Sequence, residues 1–298
     1  MILMDYTADN LLLRSTNEDR PGVFAKVAAE QAGWDYLNMV ALRLEKGKTF
    51  GITIADYEYV AIVLSGQCNI KTGKGNFDNL GYRKDVFGGL PYALYMPRQT
   101  EFEIEALTET LEIVSCWSPT DKDHPIKLIT PQDIKIEIAG GGNASYQINR
   151  IVPPGFAAHR LMVQEVYTPS GNWSEYPPYK HDTHRTTPKG ELLEAYLEKI
   201  CFYRHNRPGG YAYQRVYTED GSISALMMPQ ENDVVIVPKG YHPLVSAHGY
   251  STYCLQITAG SAHAQATADD PQDAWIRETW TQKDSRLPLV DHGMHPRV

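Results

Sequence analysis

The chain has no surplus of positive charge: 28 Lys and Arg against 36 Asp and Glu leave −8 over 298 residues. Without that surplus there is little to match a phosphate backbone, so a nucleic-acid partner is disfavoured. No stretch approaches 18 apolar residues, so no membrane-spanning helix is expected. Met1 to Arg20 lacks both a basic start and an apolar middle and carries Asp5, Asp9, Glu18 and Asp19 instead, so no signal peptide is expected. The four cysteines (Cys68, Cys116, Cys201, Cys254) are far apart and form no CxxC pair. This reads against a zinc ribbon or a disulfide scaffold and for a reduced, cytoplasmic protein. Low-complexity segments are missing, and helical periodicity is scarce. Histidine is absent from the first 123 residues, and all ten copies lie at or beyond His124.

What is present reads as β structure. The length suggests two domains, and 23 Gly and 19 Pro are spread along the chain as many short strands with frequent turns require. Strands are expected at Tyr57 to Leu64, Cys68 to Lys71, Tyr92 to Met96, Glu101 to Glu105 and Leu111 to Trp117. In Glu101 to Glu105 (EFEIE) the alternation puts Phe102 and Ile104 on one face and the glutamates toward water. A second series is expected at Leu161 to Thr168, Ile200 to His205, Ala212 to Thr218, Asp233 to Val237 and Thr252 to Thr258. Between the series, Ser118 to Thr130 and Gly140 to Asn143 bracket a linker, giving domains of residues 1–130 and 131–298. Phe24 to Gln31 is a weak helix candidate that reads equally as irregular chain. Glu191 to Glu198 (ELLEAYLE) is the best helix in the sequence.

The halves also repeat. Met96-Pro97-Arg98 is followed by Ile104 and Ala106, and Val237-Pro238-Lys239 by Val245 and Ala247, an offset of 141 residues behind an apolar strand in each case. Glu101 then stands where His242 stands in the second copy. Only the second half can hold an imidazole-based site, and imidazole is both the commonest metal ligand and an acid–base group near neutral pH. Two regions qualify: Tyr176 to Asp182 (YPPYKHD) and Pro238 to Pro243 (PKGYHP). Each His alone also reads as an ordinary polar residue. His292 and His295, in an aperiodic tail, read as surface residues.

Several stretches together resemble the bicupin 5-deoxy-glucuronate isomerases of inositol catabolism. They are Glu165 to Pro169, Gly171 to Pro178 (GNWSEYPP), Tyr213 to Thr218 (YQRVYT), Asp233 to Pro243 (DVVIVPKGYHP), and Gly249-Tyr250 with Tyr253. In the first half, Leu80 to Arg83, Val86-Phe87 and Gly89 to Pro97 (GLPYALYMP) match as well. The resemblance runs from about Gly33 to Ile276. It implies an all-β fold of two cupin barrels and an aldose–ketose isomerisation of a uronate-type sugar.

The resemblance also implies a divalent metal, zinc or manganese, in the second barrel. Its ligands would be a His-x-His pair after Pro-Pro, a Glu opening the next strand and the His of Tyr-His-Pro. His181 and His242 match two of these. Tyr179 stands where the first His is expected, and Lys199 where the Glu is expected. An ammonium beside a metal sets like charges together, and Tyr ligates only as phenolate. Strand alternation points Glu198 to the opposite face. A rebuilt set of His181, His184, His242 and Glu191 or Glu194 is one alternative. In a second, Lys199 takes the metal's place and charge, steadying an enediolate or a sugar carboxylate while Tyr179 and His181 or His242 move protons. In a third, Lys199 fills a dead site in an ion pair with Glu198, Glu194 or Asp182.

The substrate-binding candidates are Gln214, Arg215, Tyr217 and Tyr253. Alternation puts Tyr213, Arg215 and Tyr217 on one face and Gln214 and Val216 on the other, without saying which is interior. Arg215 suits a carboxylate because its fork meets two oxygens, and equally suits a surface ion pair. Tyr-rich strands read as barrel packing or as a sugar platform. The sequence thus supports an acid-sugar isomerase with a small-molecule partner. The alternative is a catalytically silent sugar-acid-binding or assembly bicupin. A transcription factor is disfavoured by the charge and by the lack of a helix-turn-helix segment. Fold-level analogy suggests a homo-oligomer built through strand edges.

Overall fold

The computed structural model describes residues 5–15 and 22–294. Its main strands fall into two sets of eight. The first comprises β1 (Asn38–Glu45), β2 (Thr49–Thr53), β3 (Tyr57–Ser65), β4 (Cys68–Thr72), β5 (Gly75–Leu80), β6 (Ala93–Met96), β7 (Glu101–Ala106) and β8 (Thr110–Pro119). The second comprises β9 (Met162–Thr168), β10 (Trp173–Ser174), β11 (Leu197–His205), β12 (Ala212–Tyr217), β13 (Ser224–Met227), β14 (Val234–Val237), β15 (Leu244–Ser246) and β16 (Thr252–Gly260). Each set places four strands in a larger antiparallel sheet, of six strands in the first half and seven in the second, and four in a smaller one. The orders are β6-β3-β8-β1 with β2-β7-β4-β5, and β14-β11-β16-β9 with β10-β15-β12-β13. Every strand of the second set has the neighbours of the strand eight places before it, which is the duplication implied by the 141-residue offset. The all-β, two-barrel cupin architecture expected from the sequence is the one observed.

Register carries the repeat to single residues. Tyr59 on β3 lies opposite Trp117 and Met96. Lys199 on β11 lies opposite Thr258 and Val237, the residues about 141 positions later. The two barrels also share edges: Leu12–Leu13, upstream of the first barrel, pairs with β14 of the second.

The long strands are buried on both faces, which explains why Tyr59 to Leu64 of β3 reads as an unbroken apolar run. Tyr59, Ala61 and Val63 pack inside the first barrel. Val60, Ile62 and Leu64 join a core shared with Ile200, Phe202, Leu255 and Ile257 of the second. Two carboxylates cross this seam in matching positions. Glu58 accepts the backbone N–H groups of His159, Arg160 and Leu161 at 2.6–2.8 Å. Glu198 accepts those of Asp35, Tyr36 and Leu37 at 2.7–2.9 Å. Each buried side chain thus satisfies three donors of the other half of the chain, which a loop packed under a sheet cannot otherwise satisfy.

Two expectations need correction. Glu191 to Glu198 is not a helix. Leu192–Glu194 is a strand paired with Arg185–Thr186, and Leu197 and Glu198 open β11. Its Leu/Tyr spacing fits a helical face, but an eight-residue helix is marginal alone. Long-range bonds decide instead: Ala195 N–H to Ala266 and Leu197 N–H to His181. Phe24 to Gln31 splits into a strand, Val23–Val27, and one helical turn, Ala29–Ala32, closed by Gly33 in the left-handed region at φ 72°. Within Met1 to Arg20, described only in part, lie the turn Ala8–Leu11 and the Leu12–Leu13 strand. His292 is exposed, and His295 lies outside the described residues. Among the described residues no helix is long and apolar enough to cross a membrane.

Candidate functional site

The interiors of the two barrels differ in chemistry. The first encloses an apolar cavity walled by Val40, Leu42, Phe50, Ile52 and a stacked Tyr59–Trp117 pair with centroids 5.7 Å apart. In the second, the inward-facing positions carry polar groups. Lys199, Cys201 and Tyr203 alternate inward along β11, while Glu198, Ile200 and Phe202 face the seam. A cavity of about 170 Å³ opens over Lys199, lined also by Glu175, Tyr179, His181, Gln164, Gln256 and Thr258, with Arg150 and Arg277 toward its rim.

At its base four sequence-derived candidates come together. Lys199 is only 2% exposed, and its ammonium hydrogen-bonds and ion-pairs with Glu175 Oε1. The Tyr179 hydroxyl donates to the same oxygen at 2.7 Å. Lys199 Nζ lies 5.8 Å from the centre of the Tyr179 ring. The His181 and His242 rings are 4.9 Å apart, and His242 Nε2 is 3.9 Å from Glu175 Oε1. Each imidazole ties Nδ1 to a backbone carbonyl at 2.9 Å, His181 to Leu197 and His242 to Gly240. A carbonyl only accepts, so both rings carry hydrogen on Nδ1 and a lone pair on Nε2. Both Nε2 atoms are buried without a partner among the described residues.

The electrostatics follow from burial and one cation. Burial, then the charge of Lys199, pushes the His181 pKa down to about 4. Burial, Lys199 and His181 hold His242 well below the ordinary range. Both are therefore neutral near pH 7. Burial and then the Glu175 carboxylate keep the Tyr179 phenol far above its usual value. For Lys199, burial works against the charge, but Glu175 outweighs it and the pKa stands above that of an ordinary lysine.

These residues do not fit a divalent ion. Two neutral imidazoles with free Nε2 atoms are half of a ligand set. The other half is an ammonium and a phenol that keeps its proton. Glu175, the one carboxylate at the cavity base, has the Oε1 facing His242 engaged by Lys199 and Tyr179. The rebuilt set is not assembled either: His184 is exposed and bonded to Ser261 Oγ at 2.8 Å, Glu191 is exposed, and Glu194 pairs with Lys180 and Arg185. Among the described residues no group of three or more His, Cys, Asp or Glu has metal-holding geometry.

The partners suggested for Lys199 lie elsewhere. Glu198 faces the seam, and Asp182 and Glu194 hold Lys180 at 2.6 and 3.0 Å. Gln214 is buried behind the cavity, accepting from the Tyr203 hydroxyl at 2.6 Å. Arg215 and Tyr217 lie on the outer face of β12, stacked at 3.9 Å, with Tyr217 bonded to Asp270. Tyr213 is 42% exposed on that face. Tyr253 faces the seam and donates to Glu165 at 3.1 Å, beside the buried Arg83–Glu165 pair. Sequence reasoning missed Glu175, which holds Lys199 from 24 residues away. It also missed Gln164 and Gln256, joined at 2.7 Å across the cavity wall. The signal for Gln256 was a glutamine at an inward position between apolar neighbours, Leu255 and Ile257.

Comparison with known proteins places this geometry in a family. The KduI/IolB family model matches residues 11–276. A 5-deoxy-glucuronate isomerase of Geobacillus thermodenitrificans is 38% identical over 269 residues, covering 90% of this chain and 96% of its own. That of Bacillus subtilis is 34% identical, covering 85% and 92%. An IolB-like protein of Salmonella typhimurium superposes with a TM-score of 0.84 at 32% identity, over 89% of this chain and 98% of its own. More distantly, Bacillus subtilis oxalate decarboxylase, a protein with Mn(II) centres, shares the fold at 13% identity and a TM-score of 0.60, over 87% and 79%. The chain belongs to the KduI/IolB family.

Proposed function

We propose that this protein is an acid-sugar aldose–ketose isomerase whose chemistry takes place in the C-terminal barrel, residues 131–298, with residues 1–130 as a non-catalytic companion. The observation that carries the reading is a neutral imidazole with a free Nε2 lone pair beside a buried ammonium, in the wall of a polar cavity. Support for the substrate class comes from relatives named 5-deoxy-glucuronate isomerase.

An aldose becomes a ketose by moving one proton between neighbouring carbons, with no oxidant or reductant. His181 Nε2 takes the proton from the carbon beside the carbonyl, and the C–H electron pair becomes the enediolate double bond. The carbonyl oxygen gains negative charge and is steadied by the Lys199 ammonium. The proton returns to the former carbonyl carbon, while Tyr179 and its partner Glu175 exchange the hydroxyl proton. Gln164, Gln256 and Thr258 offer neutral donors and acceptors to sugar hydroxyls. Zinc or manganese at this point would require Lys199 to leave Glu175. The four cysteines are free and buried, which supports work in a reducing, cytoplasmic setting.

The test is proton exchange in D₂O, followed by NMR with 5-deoxy-glucuronate. An isomerase incorporates deuterium at the carbon beside the carbonyl. Ligand binding without incorporation would favour the silent sugar-acid binder.

A further inference from the structure

The interior of the second barrel holds a cation of its own. Lys199 sits mid-sheet between β14 and β16, at the position that Tyr59 fills in the first barrel. It is buried, it lines the cavity, and it carries three donors of which, among the described residues, one is engaged by Glu175. Glu175 is itself fixed. Its backbone lies in the left-handed region at φ 57°, rare for a non-glycine residue, and its carboxylate is bridged to Tyr179. Such a conformation persists where surroundings over-determine it. Around this pair the imidazoles present lone pairs rather than charge.

We infer that the Lys199 ammonium, positioned by Glu175, is the permanent cation of this cavity and replaces a divalent ion in holding the negative oxygen of a sugar acid. The ligand class rests on the acid-sugar reading above, whereas the replacement of the ion rests on geometry alone. An ion close enough to share the Nε2 atoms of His181 and His242 would lie against the Lys199 ammonium, which sits on the Glu175 Oε1 that is 3.9 Å from His242 Nε2. Two unspent Lys199 donors are what an incoming carboxylate or enediolate needs. Lys199 is therefore a ligand-binding residue, and Glu175 a positioning residue that acts through it.

Two measurements on the full-length protein separate the parts of this claim. The first is uptake of zinc and of manganese, read by equilibrium dialysis and mass spectrometry. The natural protein is expected to retain less than a tenth of an equivalent, and Tyr179→His with Lys199→Glu about one. Stoichiometric uptake by the natural protein, or none by the double variant, would overturn the replacement whatever the ligand is. The second is calorimetric binding of D-glucuronate with and without chelator. The expected results are an affinity unchanged by EDTA, at least tenfold weaker in Lys199→Met, and largely kept in Lys199→Arg. Glu175→Gln should weaken binding severalfold and make it more pH-dependent, which a purely structural role would not do. Chelator-sensitive binding, or full affinity in Lys199→Met, would sink the inference. Metal results as expected with no glucuronate binding would remove the sugar-acid reading and leave the replacement standing.

Discussion

Lys199→Met separates a buried charge from its partner and has a calculable cost. At contact distance, ~3 Å, and an effective permittivity near 20, a unit pair is worth about 5 kcal/mol. Removing one member of a buried pair typically costs about 3–5 kcal/mol, because the survivor is left uncompensated. Lys199→Met should therefore lose about 3–5 kcal/mol at pH 7.5. Glu175→Gln with Lys199→Met should lie much closer to the natural protein, since neither charge remains. Urea unfolding followed by tryptophan fluorescence reads both variants directly. A loss under about 1 kcal/mol in Lys199→Met, or an equal loss in the double variant, would refute the pairing.

Acid should weaken the fold through its buried imidazoles. His181 and His205 both have pKa values near 4 when folded, lowered chiefly by burial. The unfolded chain, titrating near 6.5, binds more protons in between. Their contribution is thus complete above about pH 6.5 and is lost as pH falls toward 4, roughly 3 kcal/mol for His181 alone; His181→Gln should flatten the slope of stability against pH over that window. Glu198→Ala leaves three backbone N–H groups of the other half without their acceptor, that of Leu37 fully buried, and should cost about 1–3 kcal/mol. Glu58→Ala should match it, and a loss confined to one of the two by denaturant titration would break the proposed equivalence of the seams. Arg215→Ala removes an outward-facing side chain and should leave D-glucuronate affinity within about twofold, a tenfold loss placing the ligand on the outer face of β12.

The legible parts of this protein were those that local pattern determines. Tyr57–Ser65 and Thr252–Gly260 announce themselves as apolar runs between turn residues, and the EFEIE alternation places Phe102 and Ile104 inside. The 141-residue repeat was visible because Pro follows an apolar strand in both halves. The Glu191 to Glu198 segment was not legible, because its spacing suits a helix and its hydrogen bonds go to residues far along the chain. Which face of Ala212–Tyr217 points inward was likewise undetermined until the barrel closed over Gln214 and Val216. Tyr179, His181, Lys199 and His242 were drawn together by a family pattern. The carboxylate that neutralises Lys199 was not, since an ion pair between residues 175 and 199 depends on a loop meeting a strand across the barrel wall. Sequence named the unusual charge, and the three-dimensional arrangement named what holds it.

The most direct test of a lysine-based, metal-independent isomerase is deuterium incorporation into 5-deoxy-glucuronate by chelator-treated protein in D₂O. The account predicts exchange at the carbon beside the carbonyl at an unchanged rate after EDTA, and its loss in Lys199→Met. Exchange that vanishes with EDTA and returns with zinc or manganese would contradict it, and would mean that an ion displaces Lys199 from the cavity.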